Sequence, residues 1–155
     1  MQDVYMKRIS YFNLYVIKGE NGDVLIDTGF IGMKRKIKKW LDNFNIKLVV
    51  LTHAHPDHIW NASYIKKLYN CDIAISELDL ENINNKNMNP KPSLEKYTRW
   101  CNIMKWGMKK FISQKFDVDI LLKDNQVLDD YGIKIISLPG HTNGSIGVLY
   151  KNYLV

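Results

Sequence analysis

The sequence predicts an α/β fold with helices packed on a sheet, and three observations carry that reading. Apolar residues alternate with period two over residues 11–17 and 23–27. A helical period follows in "GMKRKIKKWLDNF", where Met33, Ile37, Trp40, Leu41 and Phe44 fall on one face. "IKLVVLT" (46–52) is then an almost unbroken apolar run, as expected of a strand buried on both faces.

Each element follows in order. "YFNLYVI" and "DVLID" are rich in β-branched and aromatic residues, and "KGENG" between them carries Asn21-Gly22, the signal of a tight hairpin turn. After residue 52, "IWNASYIKKLY" reads as a helix and "CDIAIS" (71–76) as a strand, so strand and helix alternate from residue 23 to 76. "NINNKNMNPKPS" (82–93), with Pro90 and Pro92, reads as a loop. Ser93 would cap the helix "LEKYTRWCNIMKWGMKKFI", whose stripe of Leu94, Tyr97, Cys101, Met104 and Met108 faces the core or forms part of a lid. "VDILL" (118–122), "GIKIISLP" (132–139) and "SIGVLY" (145–150) close the list as strands.

At 155 residues and 46% apolar content, residues 1–155 read as one domain with one core. No apolar run approaches the ~20 residues that cross a bilayer, and "MQDVYMKRIS" lacks the features of a signal peptide. A cytoplasmic protein without membrane contact is the expectation, and Cys71 and Cys101 are expected as free thiols. The formal net charge of +6 comes mostly from lysines spread along helices, the pattern of solvated faces. Nucleic acid is therefore a secondary expectation as partner.

The chemistry is concentrated in "LTHAHPDHIW" (51–60), which holds three of the four histidines. Residues two apart in an extended chain point the same way, so His53 and His55 leave the strand end together. Pro56 keeps His55 extended and starts a helix that carries Asp57 and His58. His141, in "LPGHTNGS", also follows a strand, with Gly140 and Gly144 allowing a sharp turn. His53, His55 and His141 would form a three-histidine Zn²⁺ site with a fourth position open for water, whose pKa such a metal lowers to about 7. Asp57 would orient that water or bind a second metal with His58. Asp27, in "LIDTG", is either an acceptor for a ligand imidazole N–H or a plain strand-end turn residue. Thr142 and Ser145 either bond the turn backbone or lie near substrate.

"LIDTG", "THAHPDH" and "LPGHTNGS", in this order and strand context, resemble the metallo-β-lactamase superfamily over about residues 11–150. The resemblance implies a four-layer αβ/βα sandwich with metals at one edge of two sheets. It implies that His53, His55 and His141 hold one zinc, and that Asp57 and His58 contribute to a second. It further implies hydrolysis of an ester, thioester or lactone by metal-activated water, Asp57 taking part in catalysis. A phosphodiesterase or nuclease of the same superfamily, and a non-catalytic metal-binding module needing a partner chain, are the alternatives. His58 resembles the thioesterase, lactonase and ribonuclease branches, whereas "HIWN" departs from their usual His-x-x-Gly. The family's later metal-bridging Asp and last His have no counterpart before Val155. A C-terminally truncated chain with the second half of its sandwich incomplete is therefore expected. A fragment, a chain covered by a second copy of itself or another partner, and a shortened protein are the competing explanations.

Overall fold

A computed structural model describes residues 3–10, 12–30, 32–80, 83 and 116–155. The loop expected over 82–93, apart from Ile83, and the helix expected after it lie outside these residues, as does Cys101.

The larger sheet has six strands: β1 (Val4–Ile9), β2 (Phe12–Ile17), β3 (Asp23–Ile26), β4 (Ile46–Leu51), β5 (Asp72–Ser76) and β6 (Ile120–Leu122). They lie side by side in chain order. The β1–β2–β3 pairings are antiparallel, and β3 to β6 run parallel. Helices α1 (Lys34–Leu41), α2 (Pro56–Ile59) and α3 (Ala62–Tyr69) occupy the parallel crossovers. A second, antiparallel sheet holds β7 (Val127–Leu128), β8 (Ile133–Ser137), β9 (Ile146–Tyr150) and β10 (Tyr153–Leu154), in the order β10-β9-β8-β7.

Strand alternation sorts the core into two slabs. Leu14, Val16, Leu25, Val49, Leu51, Ile73 and Ile75 face Ile37 and Leu41 of α1 and Ile65 of α3. Their neighbours Ile17, Val24, Ile26, Leu48, Val50 and Ala74 face Ile133, Ile135, Ile146 and Val148 of the second sheet. The described residues thus fill three layers, helix–sheet–sheet, with the six-stranded sheet in the middle. Each fully buried Val, Leu or Ile contributes roughly 1.5–3 kcal/mol, so these slabs dominate the stability. The outer face of the second sheet is apolar in places. Leu138 and Leu154 are 47% and 57% exposed, and their δ carbons lie 3.0 Å from where a Cβ at Gly147 would stand.

The structure amends three local expectations. Residues 18–22 connect β2 to β3, a longer link than a tight two-residue turn. Asp23 explains the length: its carboxylate accepts from Lys18 Nζ at 2.8 Å and from the Asn45 N–H at 2.8 Å, tying the loop to the entry of β4. The single helix expected over 59–69 is broken between α2 and α3 at Trp60–Asn61. The first strand, β1, has no counterpart in the sequence reading.

Candidate metal centre

β4 ends at Leu51, in the middle of the sheet, and the next seven residues deliver five side chains to its C-terminal edge. Thr52 is the first. Its hydroxyl lies 2.9 Å from Asp27 Oδ2 and 3.1 Å from His53 Nδ1. The contact at Nδ1 leaves His53 Nε2 free to point across the edge. There it lies 3.1 Å from His55 Nδ1, which in turn lies 2.8 Å from His141 Nε2. One nitrogen from each of His53, His55 and His141 falls within 4.8 Å of the others, a spacing that could hold a metal ion.

His55 owes its position to Pro56. It sits at φ −75°, ψ 148°, extended, as the cap of α2, and Pro56 takes the first helical position. Asp57 and His58 follow in that single turn. His58 Nδ1 donates to Asp27 Oδ2 at 2.7 Å, and its Nε2 lies 3.4 Å from Asp57 Oδ2. The His58 ring stands 4.0 Å from that of His53, centre to centre. The six residues expected at the metal site therefore reach one edge of the sheet, in two groups. Three histidines converge on a point, while Asp57, His58 and Asp27 form a hydrogen-bonded row beside them. Asp27 holds the left-handed backbone, φ 61°, which an aspartate tolerates better than most residues.

The electrostatics separate the two groups. Burial, reinforced by the neighbouring imidazoles, pushes His53 down to about 3. Burial and His141 likewise lower His55. Both are neutral at pH 7, the form that binds a metal. Burial also opposes charge on His58, but its hydrogen bonds to the carboxylates of Asp27 and Asp57 outweigh it and raise His58 to about 10. Burial raises the Asp57 carboxyl, yet the hydrogen bond and charge of His58 hold it below the usual carboxylate range.

This gives a pH prediction for the chelator-treated protein. A raised histidine adds stability that is fully present below pH ~6.5 and is lost as pH rises through about 10. Melting temperatures of wild type and His58→Gln should converge between those limits as pH rises. A gap that stays constant with pH would contradict the imidazolium.

Two residues whose roles sequence reasoning passed over, Asp79 and Asn61, build the support. Asp79, fully buried in the short 3₁₀ turn after β5, accepts from the Ala54 N–H at 2.8 Å and the Thr142 hydroxyl at 3.0 Å. One carboxylate thus ties the His53–His55 loop to the His141 loop. Gly144 is required by it, since a Cβ there would stand 2.7 Å from the Asp79 nitrogen. Asn61, also fully buried, donates to the carbonyls of Thr28, Gly29 and Phe30 at 2.7–3.2 Å, which pins the loop after Asp27 onto the break between α2 and α3. The Asn of "HIWN" thereby acquires a role that Gly could not fill. Thr142 and Ser145 are turn residues: Ser145 Oγ accepts from the Thr142 N–H at 3.0 Å.

With this geometry in place, comparison with known proteins is decisive. The profile of the metallo-beta-lactamase superfamily matches residues 12–155. The chain belongs to the metallo-beta-lactamase superfamily. Among curated relatives of this superfamily member, a probable metallo-hydrolase of Methanocaldococcus jannaschii is 30% identical over 146 residues, covering 92% of this chain and 64% of that protein. A metallo-beta-lactamase fold-containing protein of Sulfurisphaera tokodaii is 25% identical over 150 residues, 91% of this chain and 54% of its own length. Two solved structures show the metallo-beta-lactamase fold, each at 22% identity. A beta-lactamase from Chitinophaga pinensis has a TM-score of 0.71 and covers 96% of this chain and 54% of that one. A subclass B3 metallo-beta-lactamase of Bradyrhizobium japonicum has a TM-score of 0.73 and covers 94% and 53%. The chain therefore spans about half to two thirds of the proteins it matches. Among the described residues, no helix is long and apolar enough to cross a membrane.

Proposed function

We propose that this chain carries the metal centre of a zinc hydrolase acting on uncharged ester-, thioester- or lactone-like small molecules. The donor set supports zinc. Ligands at about 2.0–2.1 Å in tetrahedral array stand roughly 3.3 Å apart, close to the 3.1 Å and 2.8 Å between the converging nitrogens. His53 Nε2, His55 Nδ1 and His141 Nε2 would hold the ion. When bound, zinc lowers the pKa of water to about 7 and polarises a carbonyl.

The remaining work falls to side chains. Ionised Asp57, beside the three histidines, is placed to accept a proton from an attacking water. His58 and Asp27 hold that carboxylate and the Thr52–His53 contact in place. The observation that carries the substrate class is the adjoining cleft of about 390 Å³, lined by Phe12, Leu14, Tyr15 and Ile26 together with Asp27 and Asp57. Among the described residues no lysine or arginine lines it, and its one cation, His58, is paired with both carboxylates. Apolar walls with two carboxylates against one imidazolium suit a neutral acyl group better than a phosphodiester, which disfavours the nuclease reading.

Metal content and hydrolysis of thioester, lactone and phosphodiester panels test this together. Acyl substrates should be turned over in preference, and His53→Ala/His55→Ala should abolish both zinc retention and turnover. Turnover that survives the double replacement, or a preference for phosphodiesters, would overturn it.

A further inference from the structure

A second concavity, of about 460 Å³, lies between the edge strand β1 and α1. It shares no lining residue with the cleft beside His58. Two separate elements line it with basic residues, Lys7 and Arg8 from β1 and Lys36 and Lys39 from α1. Among the described residues neither aspartate nor glutamate lines it. The neighbouring cations are engaged elsewhere: Lys38 pairs with Asp42 at 2.6 Å, and Lys34 lies over the Tyr64 ring at 5.1 Å. Among the described residues Lys7, Lys36 and Lys39 have no ion pair, and Arg8 spends only its Nε–H, on the Ser10 carbonyl at 3.2 Å. Ile9 and Trp40 supply apolar wall, and Trp40 is held edge-on against Phe44 at 5.4 Å.

A lysine-rich helix alone would be a solvated face. Here a strand from the sheet edge brings two more basic residues to the rim, so four line one concavity whose described lining holds no carboxylate. Such a site focuses the field and favours a compact, multiply charged anion. The Arg8 guanidinium offers paired N–H donors suited to phosphate oxygens, and the lysines act as point charges around it.

We propose that the β1–α1 groove binds a ligand carrying two or more linked phosphates, with its organic part against Ile9 and Trp40. Such phosphates occur in a free nucleotide or polyphosphate ester and along a nucleic-acid strand. The inference stands apart from the reaction assigned to the metal centre.

Calorimetric titration of the full chain with inorganic pyrophosphate, ATP and a twelve-residue oligouridylate tests it. Pyrophosphate should bind at 50 mM salt. Lys36→Glu/Lys39→Glu should weaken it at least tenfold, both side chains being exposed and unpaired. Lys47→Glu/Lys67→Glu changes the net charge equally at exposed sites outside the groove and should alter binding less than about twofold. Oligouridylate binding that also responds to the groove variant, with a steep salt dependence, assigns the strand. Pyrophosphate and ATP binding without it assigns the free phosphate ester. Failure of pyrophosphate to bind, equal losses in both variants, or equal affinity for a hexaglutamate peptide would each overturn the proposal.

Discussion

Replacing His141 with alanine is expected to weaken zinc binding on the order of a thousandfold while leaving the chelator-treated protein folded. Structural zinc in small domains binds with roughly 10–16 kcal/mol. One of three protein ligands therefore accounts for about 4 kcal/mol, or about three decades. His141 is the informative choice because it is exposed on its loop, whereas His53 is buried against the core. Competition against a fluorescent chelator measures the affinity, and circular dichroism of the metal-free variant checks the fold. Unchanged affinity would place the metal elsewhere, for example on His58 and Asp57 alone.

Asp79→Ala is expected to lower stability by about 2–5 kcal/mol, since it leaves the Ala54 N–H and the Thr142 hydroxyl without their acceptor. For a chain of this size that is a fall of roughly 5–15 °C in melting temperature. It should also reduce zinc affinity by about 10–100-fold, the range seen when groups supporting metal ligands are removed. Asp79→Asn separates the two effects. Its amide oxygen, standing where Oδ2 stands, can still accept from both the Ala54 N–H and the Thr142 hydroxyl, so it should recover most of the stability and the affinity. Equal damage from Asn and Ala would show that the charge matters, not the tie between the loops. Thermal melts and zinc competition on both variants decide this.

The two replacements show how differently parts of the site could be read. The histidines were legible because so scarce a residue type is packed next to a buried strand. That strand, "IKLVVLT", declares itself by its unbroken apolar run. Asp27 was only half legible. Its strand-end place is visible, but its link to His58 and Thr52 depends on β3 and β4 lying parallel in register. Asp79 was illegible, because "SELDL" looks like any acidic turn until the fold drives it under Ala54 and Thr142.

The same contrast runs through the fold. Strands buried on both faces and the amphipathic α1 announce themselves by period. Edge strand β1 does not, since three successive residues, Met6 to Arg8, are exposed and no alternation is imposed on it. The two-residue strands β7 and β10 are too short to carry a period. Asn61 broke the expected helix for a reason no window of sequence contains, as its amide is spent on three carbonyls some thirty residues away.

The most direct test is a zinc titration of the chelator-treated protein, followed by nitrogen NMR of its four imidazoles. The account predicts tight uptake of the first equivalent. The ring nitrogens His53 Nε2, His55 Nδ1 and His141 Nε2 should shift together, and His58 should keep its Nδ1 proton on Asp27. No uptake, or a first equivalent that moves His58 and leaves His141 unchanged, would contradict it.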